Sequence, residues 1–490
     1  GSHRPTLADT PSIWEFTVKR ARLINPWFVL AHVVALHAVV FYFVRPGHDD
    51  EPLAEGSNDE MARATVAQRS ISLGTRPVNA LDALTDPAVA GPAVAGPAVA
   101  GSAVARSELT DRDGSPLAVP SERPGPLDLG RIYEDDGRIL ADLDNDWTAE
   151  LTTDPALQQV ATKALNRAKV PFGAVVVLDP RTGDVLAMAD RFDERHPVAP
   201  ALDPAGPPHL ALRALAPAAS IFKLVTTIGL LEAGVSPRGA TAYVPAKRRI
   251  QAEQLAAPGR GAPTATLGEA LAHSNNGYFA RASDQNLERE TLDALVRRVG
   301  FNRVVPFPLL TDASTARVPR NALERARMAA GFWHARLTPL HAAMLAAAIA
   351  GDGSLPAPRL VRRLRAPDGH TIEAPNRGSF AIAMRPEHAK AMRLMLAETV
   401  SRGTARRAFS KWPSDLAGVK VGGKTGTLAT RDPHVSYTWF VGFAPVDDPK
   451  VAIAVMVGNG ELWWQRAPDV ARDVLAAYFQ ARLRPAVAIR

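Results

Sequence analysis

Hydrophobic and polar positions follow different rhythms in different parts of this 490-residue chain. Trp27 to Val44 is an uncharged, mostly apolar run of 18 residues, about the length that a helix needs to cross a bilayer. Lys19, Arg20 and Arg22 precede it, and the positive-inside rule then puts the N-terminus in the cytoplasm. The bulky Phe41-Tyr42-Phe43 offers no small-residue cleavage site. The run therefore reads as an uncleaved transmembrane helix (27–44) behind a cytoplasmic segment (1–26), not as a signal peptide. Over 45–106 the rhythm is lost. Pro87-Ala88-Val89-Ala90-Gly91 is followed by two more copies and Ser102-Ala103-Val104-Ala105. Pro and Gly at that period deny helix and sheet and predict a spacer.

Two similar segments follow, Leu109 to Val119 and Arg131 to Leu143. Each has an acidic, Gly-containing turn (Asp113-Gly114, Asp136-Gly137) between apolar stretches. They predict two β-hairpins in a small linker module over 107–149. From 150 to 490 the pattern is globular. Ala156 to Ala168 has helical period, and Ala174 to Leu178 and Asp184 to Ala189 form a hairpin around Asp179-Pro180-Arg181-Thr182-Gly183. Ser220 to Glu232 predicts a helix with Leu224, Ile228 and Leu231 on one face. An Ala-rich, mostly helical middle precedes three strands (Val419 to Leu428, Tyr437 to Ala444, Val451 to Val457) and a closing helix, Val470 to Arg482. The hairpin first and the strands last predict one antiparallel sheet built from both ends of the domain. Helices would lie across it, an α+β fold.

Composition narrows the chemistry. Cysteine is absent, which excludes disulfides, thiol catalysis and Cys-based zinc sites. The net charge of +7 suits an anionic partner such as nucleic acid, anionic lipid or an acidic wall polymer. No RNA-binding signature, zinc-finger spacing or basic block interleaved with aromatics occurs, so nucleic acid is not expected. No metal-ligand spacing appears either, and His273 reads as structural or solvent-facing. Neither a metal nor a cofactor is expected.

Three short motifs carry the candidate chemistry: Ser220-Ile221-Phe222-Lys223, Ser274-Asn275-Asn276 and Lys424-Thr425-Gly426-Thr427, once each and in that order. Serine needs a base to act as a nucleophile at neutral pH. Lysine three residues later on a helix shares its face. That lysine must be neutral, yet with a pKa of about 10.4 fewer than about one in a thousand would be so at pH 7. Burial and a nearby cation both lower it, and Lys424 can be that cation. Only ten of the 57 basic residues are Lys, so Lys at 223 and 424 points to a demand that Arg cannot meet, because Arg is not deprotonated in proteins. Ser274 can relay a proton to a leaving amine, and Asn276 can hold Lys223 and a substrate amide. Thr425 and Thr427 offer hydroxyls to a substrate carboxylate beside Lys424, and Gly426 lets a substrate backbone lie along the strand. The N–H groups of Ser220 and Thr427 form the expected oxyanion hole.

With these motifs the chain resembles the penicillin-binding proteins, of the membrane-anchored transpeptidase kind, from about Leu151 to its end. The likeness extends to Leu151-Thr152-Thr153-Asp154-Pro155, Leu337-Thr338-Pro339-Leu340, Gly403-Thr404-Ala405 and Trp439-Phe440-Val441-Gly442. The resemblance implies a penicillin-binding/β-lactamase-like transpeptidase fold. It further implies a donor stem peptide ending in D-Ala-D-Ala, a seryl acyl-enzyme at Ser220, cross-linking by a second stem amine and inhibition by β-lactams. It also implies an inner-membrane protein with its catalytic domain in the periplasm and a polytopic glycosyltransferase as partner. A D,D-carboxypeptidase, a β-lactamase or β-lactam sensor, and an inactive scaffold for wall synthesis are the alternatives. The chain departs from the family at Pro217-Ala218-Ala219, where Pro-Gly is common, and at Gly331-Phe332-Trp333-His334, where the family is richer in glycine. It has no glycosyltransferase signature and little sequence for a pedestal.

Overall fold

The computed structural model describes residues 126–196, 209–246, 249–376, 378–431, 434–460 and 465–483. The apolar run 27–44, the spacer 45–106 and the first expected hairpin, Leu109 to Val119, lie outside them. Among the described residues no helix is long and apolar enough to cross a membrane.

The main sheet has five strands, all antiparallel, drawn from the two ends of the domain as the pattern predicts. The hairpin around Asp179–Gly183 supplies β4 (Phe172–Leu178) and β5 (Val185–Phe192). The C-terminal strands are β10 (Gly422–Thr430), β11 (Val435–Ala444) and β12 (Val451–Asn459). The spatial order is β10-β11-β12-β4-β5, so β12 beside β4 joins the two halves. Every residue of β4, β11 and β12 is buried, because helices cover both faces. Successive side chains enter opposite layers. Ala174 and Val176 join a core containing α6 (Pro339–Ala350). Val175 and Val177 join one containing α1 (Pro155–Ala168) and α7 (Ala467–Leu483). The Ala-rich α6 is buried along its whole length, as expected of a helix apolar all round. Thr338 caps it through the His341 N–H at 3.1 Å, and Pro339 occupies its first turn.

The second expected hairpin is present as β1 (Ile132–Asp135) and β2 (Arg138–Asp142), with Asp136 and Gly137 at positive φ in its turn. It does not form a separate module ending at residue 149. The strand β3 (Thr148–Leu151) crosses the expected boundary at 150. It pairs with β2 on one side and on the other with β8 (Val361–Arg365), which continues to β9 (Thr371–Glu373). Ala141, Leu143, Trp147, Ala149 and Leu151 are all part of the large core. A two-stranded hairpin is marginal alone, and this one buries its apolar face by borrowing β8. Arg359 and Asp184 tie the same region to the main sheet, with contacts of 2.5 and 2.9 Å.

His341 lies inside the helical layer at 1% exposure. Its Nε2 is 2.7 Å from the Val299 carbonyl oxygen, and its ring is 4.9 Å from that of Phe301. Burial lowers its pKa from 6.5 to about 4. Between those values the unfolded chain binds a proton that the folded chain does not, so this group removes stability as pH falls through that window. We expect His341→Gln to lose about 2 to 3 kcal/mol less than wild type between pH 7 and pH 4.5. Urea unfolding at both pH values checks it; parallel losses would show that His341 does not titrate across the transition.

Candidate active site

The three motifs meet at one end of the main sheet. Ser220 lies in a 3-10 turn, Ala219–Ile221, that runs into α2 (Phe222–Glu232). The expected single helix thus begins tightly wound. Ala219 has φ +47°, a left-handed conformation that costs a non-glycine residue about 1–3 kcal/mol. One turn on, Lys223 is completely buried, and its Nζ is 3.0 Å from Ser220 Oγ. The same nitrogen donates to Asn276 Oδ1 at 2.8 Å and to the Ala330 carbonyl. The face of the Phe279 ring is 5.5 Å away.

The second motif divides its work among neighbours. Ser274, at φ +56°, separates α3 (Leu267–Ala272) from α4 (Asn276–Asn286). The Asn275 side chain accepts the Tyr278 N–H at 3.1 Å and caps α4. That cap fixes the direction of Asn276, the first helical residue, whose side chain reaches Lys223.

The third motif lies on β10, the edge of the sheet nearest the serine turn. Lys424 and Gly426 share its inward face, in register with Val441 and Trp439. Lys424 is fully buried, and its Nζ donates to the Thr425 carbonyl oxygen at 2.9 Å. Gly426 has a reason the sequence did not reveal. A Cβ there would sit 3.3 to 3.4 Å from side-chain atoms of Ile221, Trp439 and Ala219, so glycine lets the strand close on the serine turn. Trp439 secures the same contact by donating from Nε1 to the Pro217 carbonyl oxygen at 3.0 Å. Thr425 and Thr427 lie on the opposite face, with Thr427 exposed.

Electrostatics follow from this burial. Lys223 is held well below the usual lysine range, first by burial and then by the charge of Lys424. Burial lowers Lys424 to about 7. A neutral amine has two N–H bonds and one lone pair. With Asn276 Oδ1 and the Ala330 oxygen taking the hydrogens, the lone pair is left for the Ser220 hydroxyl. The arrangement can therefore deprotonate the serine without a histidine or a metal ion, and no cluster of potential metal ligands occurs among the described residues.

All five expected catalytic residues (Ser220, Lys223, Ser274, Asn276, Lys424) come from segments that converge here, and so do Thr425, Gly426 and Thr427. His273 is exposed, as expected. Two participants went unread. The Ala330 oxygen has no sequence signal, because every residue carries a carbonyl. Thr404 had one, in Gly403-Thr404-Ala405. Its hydroxyl lies 2.6 Å from that of Thr425, and its N–H donates to the Ala272 carbonyl oxygen at 3.1 Å, linking the third motif to the end of α3. Gly403 allows this approach, since a Cβ would be 2.2 Å from the same oxygen.

Comparison with known proteins agrees with this geometry. Residues 173–476 match the family described as the penicillin binding protein transpeptidase domain. The chain is 32% identical over 359 residues to peptidoglycan D,D-transpeptidase PbpA of Mycolicibacterium smegmatis, spanning 66% of this chain and 71% of that protein. The crystal structure of PBPA from Mycobacterium tuberculosis superposes with a TM-score of 0.57 at 28% identity, covering 68% of this chain and 80% of that one. A penicillin G acyl-enzyme complex of the same protein gives 0.56 at 26% identity, covering 69% and 80%. The extent of the match, together with a serine, two buried lysines and an asparagine brought together from separate segments, means that this chain belongs to the penicillin-binding protein transpeptidase family.

Proposed function

We propose that this chain is a peptidoglycan D,D-transpeptidase that forms a seryl acyl-enzyme with stem peptides ending in D-Ala-D-Ala and is inhibited by β-lactams. The observation that carries the reading is the 3.0 Å approach of a completely buried, charge-depleted Lys223 to Ser220 Oγ. Lys223 takes the hydroxyl proton as Oγ attacks the carbonyl of the penultimate D-alanine. The N–H groups of Ser220 and Thr427 hold the oxyanion; the first lies at a helix start, where N–H groups lack intrahelical acceptors. The C–N bond then breaks. Ser274 relays a proton to the departing amine of the terminal D-alanine, leaving the acyl-enzyme. A second stem's amine attacks the ester, loses its proton and restores Ser220, which completes the cross-link. Thr425 and Thr427, on the outer face of β10, bind the donor's terminal carboxylate, with the charge of Lys424 behind them on the inner face, and Gly426 keeps the strand packed on the serine turn. A β-lactam enters the same first step, but its leaving nitrogen stays tethered.

The anchor belongs to the same proposal. The run 27–44, with its preceding cations, would hold the chain in the cytoplasmic membrane by a single span, and 45–106 would carry the catalytic domain into the periplasm. A polytopic glycosyltransferase that supplies fresh glycan strands would be its membrane partner.

Three outcomes are expected. Benzylpenicillin adds to Ser220, so intact-mass spectrometry detects the adduct on wild type and not on Ser220→Ala; a persistent adduct on the variant would put the nucleophile elsewhere. Lys223→Arg folds but acylates at least about 100-fold more slowly, the lower range for loss of a general base; near-normal labelling would remove Lys223 from that role. Lys424→Gln raises the pKa of Lys223 by removing a cation. The acid limb of its acylation–pH profile therefore moves to higher pH, and an unmoved limb would show that the two lysines are not coupled. Assaying cross-linked against hydrolysed stem peptide separates transpeptidase from carboxypeptidase.

A further inference from the structure

The turn from Ala330 to His334 touches both Lys223 and the serine turn. It connects α5 (Ala322–Ala329) to the short strand β7 (Ala335–Leu337). Ala330, at its start, provides the oxygen that accepts from Lys223 Nζ. Gly331 lies directly on the serine turn, where a Cβ would be 2.5 Å from the Ala219 oxygen and 2.8 Å from Ser220 Cα. At the other end, the Ala335 oxygen accepts the Ala218 N–H at 2.9 Å, and β7 pairs with β6 (Ala216–Pro217), just before the serine. The conformation of this turn therefore sets where both the base and the nucleophile stand.

That conformation is not one the sequence adopts freely. Trp333 and His334 have φ of +37° and +59°, a left-handed pair with no glycine to accept it. One side-chain chain of contacts restrains it. His334 Nε2 is 2.8 Å from Glu324 Oε2, across the turn. Glu324 Oε1 receives Arg327 Nη1 at 2.5 Å, and Arg327 donates from Nε and Nη2 to the buried Ile250 carbonyl oxygen at 2.9 and 2.8 Å. These side chains are only 19 to 33% exposed. Although burial opposes its ionisation, Glu324 is kept below the ordinary carboxylate range by the hydrogen bonds from His334 and Arg327, so it is ionised when it receives them.

We infer that Glu324 and His334 are positioning residues for acylation: their contact holds the 331–334 turn so that the Ala330 carbonyl orients the Lys223 amine toward Ser220. Neither residue reaches the reacting atoms through any contact described above. Their effect passes through the backbone of the turn, and it falls on the chemical step and not on β-lactam affinity. The inference rests on the acyl-enzyme reading above.

The test uses the full chain and a fluorescent penicillin, resolving the acylation rate constant from the pre-covalent dissociation constant, with thermal unfolding in parallel. Glu324→Leu removes the contact, whereas Glu324→Gln keeps an oxygen that can accept from His334. Glu324→Leu is expected to acylate about 10- to 100-fold more slowly, the scale of a small misplacement of reacting groups, with its dissociation constant within about twofold of wild type. Glu324→Gln is expected to stay within about threefold of wild type in both. His334→Leu leaves α5 untouched and should reproduce the loss of Glu324→Leu, so the contact is read even where one variant folds poorly. A folded Glu324→Leu or His334→Leu with an unchanged acylation rate constant overturns the inference. Equal losses in the Gln and Leu variants, or a loss confined to the dissociation constant, overturn it as well. Failure of the wild type to label at Ser220 would instead overturn the acyl-enzyme reading, and the inference with it.

Discussion

An amine with no counter-ion among the described residues, sealed from water, is the constraint around which this structure is organised. Lys223 has no exposure, and the other charge that acts on it is a second buried lysine. Keeping a lysine neutral at pH 7 carries a free-energy cost against its intrinsic preference for the charged form. The fold supplies that cost as desolvation, and it directs the resulting lone pair with two fixed acceptors. Those acceptors come from far apart in the chain: Asn276 from the start of α4 and Ala330 from the end of α5. Lys424 arrives from a strand about two hundred residues after Lys223.

The surrounding elements accept local strain to make that convergence possible. Ala219, Ser274, Trp333 and His334 all have positive φ without being glycine, and they lie beside Ser220, in the second motif and in the turn that carries the carbonyl on Lys223. Such conformations persist only where the surroundings over-determine them. Here the over-determination is visible in Trp439 hydrogen-bonded to Pro217, in Gly426 and Gly331 pressed against the serine turn, and in Gly403 against Ala272. Glycine appears on the side that must yield space, while side chains fill the side that must not move.

What was legible in the sequence follows the same division. The three motifs stood out because proton transfer and acyl transfer restrict the side-chain type at each position. The main sheet was readable because β4, β11 and β12 are long apolar runs with turn residues between them. The strand β8 was not, because Val361-Arg362-Arg363-Leu364-Arg365 buries only Val361 and Leu364 and carries arginines that meet Glu150 and Glu373. Without β8 the sequence offers β3 no partner. Asn275 and Asn276 could not be told apart from their letters; the helix start that separates cap from ligand is a property of the backbone. The Ala330 oxygen leaves no trace in any residue type.

The neighbouring positions of β4 and β12 have a consequence for how the chain comes to be folded. The strand Phe172–Leu178 finds its sheet partner in Val451–Asn459, so a growing chain must expose one side of a wholly apolar strand until that distant segment has been made. Pairings of such long sequence separation form slowly, and an unpaired strand edge invites association with other chains. The order of synthesis thus sets a vulnerable interval, beginning when the β4–β5 hairpin emerges and ending only when β12 arrives. Loss of the last strand would leave a sticky fragment in which even the N-terminal half of the sheet is unfinished.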